Sequence, residues 1–311
     1  MISPQEAMSG TKVAILGATG FIGSAVAQEL QRSGAKLFLL GRNEEKLRQL
    51  FPLAEVAYYD GSHHIDLSHR LEGSAIIINL IGESVAQRWN REVKEKIRSS
   101  RLNSTVFLAN NVKKMHVKPQ IVLQASAIGY YGNRGDEILD ENSPPGTGFL
   151  AELAQDWEKA AQPIAEHCPL AILRFGIVLG KNGGFMTRVA PLFRLFLGGH
   201  LGSGKQFLSW IHLKDVLGIV RFLIDKRQGG TYNVTSPQPL AAKEFFRELG
   251  KAIHRPSWLH APEFVLHLLY GEMAKEVLLS GQRVLPLALQ QKGYSFRFPI
   301  LPLAIHSLLH E

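Results

Sequence analysis

Six short apolar runs recur through the first 175 residues, each about the length of one buried strand. They cover 12–17, 36–40, 55–59, 74–80, 120–125 and 170–175. Strands with no polar face are buried on both sides, as in parallel sheets. Between them lie stretches with helical spacing. In 21–32, Phe21, Ile22, Ala25, Val26 and Leu30 share one face. Asn43 is a good cap for a helix over 44–50, and longer helices are predicted over 89–110 and 149–167. Such alternation specifies an α/β fold, a Rossmann-type doubly wound parallel sheet. Beyond Gly180 it loosens: a strand near 206–211, a helix over 213–224 and a strand over 231–234 follow, and the chain past 240 reads as mainly helical. The expected division is a Rossmann domain over 11–180 and a smaller, mainly helical C-terminal lobe over 181–311. The two interleave, and the lobe shapes a pocket over the carboxyl edge of the sheet.

The first strand runs into Gly17-Ala18-Thr19-Gly20-Phe21-Ile22-Gly23, a G-x-x-G-x-x-G turn that opens a helix. Gly17 permits the tight turn, Gly20 lets backbone approach a pyrophosphate, and Gly23 lets helix and strand pack closely. The helix start then offers unpaired N–H groups to phosphates. The pattern predicts a dinucleotide site. An NAD site usually ends its second strand with Asp or Glu, whereas this one ends Leu40-Gly41-Arg42-Asn43. A guanidinium pairs with a 2′-phosphate that a carboxylate would repel, so NADP is the expected cofactor. Read blandly, Arg42 is a solvated loop charge. Gly82, after the fourth strand, would let backbone approach the ribose or simply make a turn. Asp60, after the third, is a candidate for the adenine amino group or an ordinary loop acid.

Other chemistries find little support. Net charge is +8, yet Lys and Arg do not cluster as nucleic-acid binding requires. No run approaches the roughly 18 apolar residues of a membrane span, and neither nucleic acid nor membrane is an expected partner. The start, Met1 to Ala7, lacks the basic and apolar regions of a signal peptide. With Cys168 as the single cysteine, this fits a cytoplasmic protein. His63, His64 and His69 lack a matching acidic or Cys set, and His212 reads as a local hydrogen-bonding residue, so no metal is expected. No Gly-x-Ser-x-Gly elbow is present.

The glycine turn resembles that of the extended short-chain dehydrogenase/reductases. The likeness narrows with Asn79-Leu-Ile-Gly-Glu83, Arg88-Trp-Asn90, Ser100-Arg101, Ser126-Ala-Ile-Gly-Tyr-Tyr131 and Asp156-Trp-Glu158. Arg174-Phe-Gly-Ile-Val-Leu-Gly180, Gly204-Lys-Gln-Phe-Leu-Ser-Trp-Ile-His212 and Gly281-Gln-Arg-Val-Leu-Pro286 extend it. Together they resemble family 39U, the "epimerase family protein" group with a C-terminal domain of unknown function, over residues 11–305. The resemblance implies an NADP-bound Rossmann fold. It implies cofactor contacts at Gly17, Ala18, Thr19, Gly20, Phe21, Ile22, Gly41, Arg42, Leu80 and Ile81, and at Arg101 and Val178. Arg101 also reads as a solvated helix charge, and Val178 as core.

Reductases and epimerases of that superfamily use a Tyr-x-x-x-Lys pair with Ser or Thr. Here the helix begins Phe149-Leu-Ala-Glu-Leu-Ala, which pairs Phe149 with Leu153 and Leu150 with Ala154. None of these carries a proton. Ser126 stands one residue before the usual hydroxyl position, at Ala127. Leu208 stands where nucleotide-sugar enzymes often place a diphosphate-binding Arg. Ser126 and Tyr130 are the candidate catalytic residues, with aromatic packing as the other reading of Tyr130. Two functions remain open: an oxidoreductase or epimerase acting on an unknown small molecule with non-standard residues, or an NADP-binding sensor or interaction protein without turnover. Oligomeric state is not legible.

Overall fold

The computed structural model describes residues 8–181 and 183–310; the N-terminal segment read above as lacking a signal peptide lies outside the described residues. Seven parallel strands form the central sheet: β1 (Lys12–Leu16), β2 (Lys36–Gly41), β3 (Glu55–Tyr58), β4 (Ile76–Asn79), β5 (Ile121–Ala127), β6 (Leu170–Phe175) and β7 (Gly230–Val234). Their spatial order is β7-β6-β5-β4-β1-β2-β3. The order reverses between β1 and β4, and the crevice beyond their carboxyl ends is where such sheets bind ligands.

The helices are α1 (Phe21–Arg32), α2 (Glu44–Leu50), α3 (Arg91–Lys114), α4 (Phe149–Ala165), α5 (Gly184–Arg194), α6 (Leu213–Lys226), α7 (Ala242–Ile253), α8 (Glu263–Tyr270), α9 (Leu287–Gln291) and α10 (Leu301–His310), with a single turn at Ser68–Leu71. Alternate residues of each strand face opposite layers. Val13, Ile15 and Ile78 pack with Val26 and Leu30 of α1 and Ile219 and Leu223 of α6. Ala14, Leu16 and Ile77 pack with Phe107 and Val112 of α3 and Ile164 of α4. A third core joins Trp210 and Phe193 to Phe245 and Leu249 of α7 and Ile305 of α10.

Residue 180 is not a clean boundary. The chain returns after it, so that α6 covers one face of the sheet and β7 pairs in register with β6. The expected strand near 206–211 is two short ones. Phe207–Leu208 pairs with Leu240–Ala241, and Trp210–His212 with Ile177–Gly180. The C-terminal portion also contains the paired strands Gly199–Leu201 and Leu259–Ala261, and Arg283–Val284 pairs with Ile138–Leu139. Runs of two or three residues carry no readable periodicity. Buried Asp215 on α6 accepts from the Arg297 and Phe298 N–H groups at 2.7 and 2.9 Å, which fastens the approach to α10.

Gly23 sets how closely α1 meets the sheet, since a Cβ there would lie 2.2 Å from the Gly17 carbonyl oxygen. Backbone cannot yield as a side-chain end can. Gly23→Ala is therefore expected to lower unfolding free energy by about 1–3 kcal/mol, the range for overpacking. Denaturant midpoints of the two proteins check this.

Candidate functional site

The turn after β1 rises to the crevice. Gly17 adopts φ 90°, and a Cβ on it would meet the Leu80 carbonyl carbon at 2.9 Å. At Gly20 an added Cβ would touch only the Gly17 oxygen, at 3.3 Å. Gly20 precedes α1 with no side-chain cap, and the first turn of α1 holds no acidic residue. The first N–H groups of a helix have no partner within it. Gly20, Phe21, Ile22 and Gly23 border a cavity of about 530 Å³. Its walls continue through residues 80–85, 125–129 and 175–177, and through Leu150, Leu153, Ala154 and Trp157 of α4. The far side is formed by 207–209 with Glu276, Val277, Ser280 and Gln282.

The end of β4 is held in shape by Asn79, buried in the sheet. Its Nδ2 donates to Gln124 Oε1 at 3.0 Å, and its Oδ1 accepts from the Ile81 N–H at 3.2 Å. Gly82 comes next, and an added Cβ would meet the Arg101 guanidinium at 3.1 Å. Arg101 Nη1 donates to the carbonyls of Glu83 and Ile97 at 3.0 and 2.9 Å. The guanidinium lies 5.1 Å from the Trp157 ring centroid. Burial lowers its pKa to about 10, against the opposing charge of Glu83. It remains a cation on the cavity wall. Across the cavity, Glu276 accepts from the Phe149 and Leu150 N–H groups at 3.1 Å each, so a residue of the C-terminal portion caps α4.

Behind the wall at β5 lies a buried polar chain. Ser126 Oγ donates to Glu158 Oε1 at 2.6 Å. Arg174 binds the same carboxylate through Nε and Nη2, both at 2.8 Å. Ser126 and Arg174 are register partners on β5 and β6, so strand pairing brings them to α4 together. Arg174 Nη1 donates to the Tyr131 hydroxyl at 2.8 Å, and that hydroxyl donates to Asn233 Oδ1 on β7 at 2.8 Å. Burial disfavours charge on Arg174, but the hydrogen bonds and charge of Glu158 outweigh it and hold it protonated. Burial pushes the Tyr131 phenol up to about 12, against the pull of Arg174.

Of the residues singled out in the sequence, Gly20, Phe21, Ile22, Leu80, Ile81, Gly82, Arg101 and Ser126 line the cavity. Gly17, Ala18 and Thr19 form the turn beneath it. Gly41 and Arg42 lie beyond it at the end of β2, where Arg42 is exposed and makes no hydrogen bond or ion pair with any described residue. Asn43 caps α2 by accepting from the Lys46 N–H at 2.9 Å. Asp60 is an exposed loop acid that accepts from the Ser62 N–H. Val178 is buried core and not part of the cavity wall. Tyr130 does not border the cavity as Ile128 and Gly129 do. The one-turn helix Ile128–Tyr131 carries its ring over Arg174, 3.5 Å from guanidinium carbon to ring centroid. Glu158 and Arg174 were not singled out, although both fall within Asp156-Trp-Glu158 and Arg174-Phe-Gly. Among the described residues no group of three or more His, Cys, Asp or Glu is placed to hold a metal. No helix among them is long and apolar enough to cross a membrane.

The NAD dependent epimerase/dehydratase family model matches residues 13–235, and a domain of unknown function, DUF1731, matches residues 261–308. The chain belongs to the NAD dependent epimerase/dehydratase family. Within it, the chain groups with the SDR39U1-type epimerase family proteins. It is 36% identical over 96% of its length, and 86% of the relative's, to the chloroplastic SDR39U1 homolog of Arabidopsis thaliana. It is 33% identical to the epimerase family protein YfhF of Bacillus subtilis, over 96% of this chain and 98% of that one. The human epimerase family protein SDR39U1 (isoform 2), solved with NADPH, superposes with a TM-score of 0.87 at 30% identity. That match covers 97% of this chain and all of the human one.

Removing one partner of a buried ion pair strands the other charge, at a cost of about 3–5 kcal/mol. Arg174→Met should destabilise this family member by that amount. The double variant Arg174→Met/Glu158→Met should recover much of the loss. Urea unfolding of the three proteins measures both terms.

Proposed function

We propose that this chain binds NADP(H) and uses it to reduce a small, mainly apolar carbonyl compound, or to oxidise the corresponding alcohol. The observation that carries the reading is the uncapped start of α1, which opens through Gly20 into a cavity that Ser126 also lines. Gly17 and Gly23 let the turn pack against β4 and β1, and Gly20, with almost no protein neighbour around its missing Cβ, leaves room for a pyrophosphate at the start of α1. The human relative's structure was solved with NADPH. Arg42, exposed and unpaired among the described residues, is suited to a 2′-phosphate.

When bound, the nicotinamide would give or take the hydride. The chain's own part is to orient the substrate and move one proton. Ser126 Oγ is held by Glu158, and Arg174 fixes that carboxylate through both of its oxygens. In the oxidising direction the alcohol proton passes to Ser126 Oγ while the Ser126 proton passes to the Glu158 carboxylate, and reduction runs the same relay in reverse once Glu158 has taken up a proton. Phe207, Leu208 and Val277 give the far wall apolar surface, beside the polar Ser209, Glu276, Ser280 and Gln282. Leu208 cannot neutralise a diphosphate, which argues against a nucleotide-sugar substrate.

A second reading is a protein that holds the cofactor without turnover. Leu150, Leu153 and Ala154 favour it, since they line the wall where a proton-moving Tyr-Lys pair would stand.

Two measurements test these readings. NADPH should bind more tightly than NADH by about 1.5–3 kcal/mol, the worth of a charge-assisted hydrogen bond, and Arg42→Ala should erase the difference. Gly20→Val should abolish binding of both. Equal affinity of the unaltered protein for the two cofactors would contradict the NADP assignment. At 100 times its dissociation constant NADPH adds about 2.7 kcal/mol of stability, which a thermal scan reads at roughly 2–4 °C per kcal/mol. Over a panel of aldehydes, ketones and quinones, Ser126→Ala should slow NADPH oxidation about 100- to 10,000-fold with cofactor affinity retained. Unchanged turnover in Ser126→Ala would remove the proton route. No turnover of any carbonyl by a protein that binds NADPH would favour the second reading.

A further inference from the structure

Large apolar side chains are exposed in two segments that the fold brings together. Leu195, before the strand Gly199–Leu201, is 68% exposed, and Trp258, before its partner Leu259–Ala261, is 69% exposed. The strands pair in parallel, and the Leu259 N–H donates to the Gly198 carbonyl. Helix α8 follows directly, with Phe264 72% and Leu268 75% exposed, one turn apart on one side. Exposed Phe196 holds a φ of 62°, costly for a bulky residue, and its ring lies 4.8 Å from the Arg255 guanidinium carbon. Soluble surfaces scatter such residues singly, and contiguous patches mark contacts with other surfaces.

The charges around the patch indicate what covers it. Residues 193–206, which carry Leu195 and the first of the two strands, contain Arg194 and Lys205 and no Asp or Glu. Residues 251–262 contain Arg255 and Lys251, the latter paired with Glu248 at 2.8 Å, and no acid of their own, while Glu263 borders the patch at the start of α8. Arg194 and Lys205 are exposed and lack ion pairs among the described residues. Two copies of so basic a surface would repel each other. An anionic surface would be attracted, and one with an apolar interior would also accept Trp, Phe and Leu side chains.

We infer that this face is a docking surface for an anionic lipid bilayer. Leu195, Trp258, Phe264 and Leu268 enter the headgroup boundary, and the basic rim meets the lipid phosphates. Tryptophan favours that boundary, and surface binding scales with buried apolar area plus attraction to anionic lipid. The absence of a spanning run from the sequence is compatible with this, because the patch is assembled by tertiary pairing and lies on the membrane without crossing it.

The test is flotation of the full chain with vesicles of phosphatidylcholine, alone or mixed with phosphatidylglycerol. The protein should float with the mixed vesicles and stay behind with phosphatidylcholine alone. Its tryptophan emission should shift to the blue on binding, and Trp258→Phe should lose that shift. Arg194→Gln should weaken partitioning about fivefold, from roughly 1 kcal/mol per basic residue near the surface. The triple variant Leu195→Ser/Phe264→Ser/Leu268→Ser should weaken it by about a hundredfold or more. Its thermal midpoint should be unchanged, because these side chains are exposed. Failure of the native protein to bind mixed vesicles overturns the inference. So does a triple variant that still binds fully, since attraction would then be purely electrostatic. A native dimer that the triple variant dissociates would instead assign the face to a second copy of the chain.

Discussion

Arg174 and Glu158 carry opposite charges and are almost entirely buried. Taking such ions out of solvent costs several kcal/mol each, and only close, multiply bonded geometry offsets it. Here the offset is supplied by two hydrogen bonds between the pair, one from Ser126 to the carboxylate, and one from Arg174 to Tyr131. Each partner sits on a different element. The pair therefore fixes β5, β6, α4 and the turn after β5 relative to one another. Through Asn233 it reaches β7, and the Asn233 Nδ2 donation to the Leu285 carbonyl at 3.0 Å extends it into the C-terminal portion. The wall of the cavity is the outer edge of this arrangement.

The opposite side of the cavity depends on backbone geometry with no charge involved. Gly17 and Gly23 bring α1, β1 and the end of β4 to contact distance, and Asn79 ties the Ile81 N–H to the top of the sheet. Glu276 couples the two sides to the C-terminal portion by capping α4. The cavity is thus bounded by a rigid turn, a buried ion-pair network and a segment that the DUF1731 match begins to cover at residue 261.

What the sequence reveals follows the range of each signal. The first six strands and helices α1 and α2 are legible because apolar period and capping act within a few residues, and the Asn43 cap is where the pattern places it. The glycine turn is legible for the same reason. The seventh strand is visible as a strand, but its membership of the main sheet is not, because β7 pairs with β6 across an intervening stretch of more irregular chain. Glu158 and Arg174 escaped because their meaning lies in a pairing between a helix and a strand. Tyr130 is a related case. Its position after β5 suggests the crevice, but a single tight helical turn swings the ring onto a guanidinium that no local pattern announces.

The central claim is that the uncapped start of α1, Arg42 and Ser126 serve one bound NADP(H). A crystal structure of the chain with NADPH tests it most directly. The account predicts the pyrophosphate on the first N–H groups of α1, the 2′-phosphate against Arg42, and the nicotinamide within the cavity facing Ser126. A cofactor bound with its 2′-phosphate away from Arg42, or with its nicotinamide outside the cavity, would contradict the account.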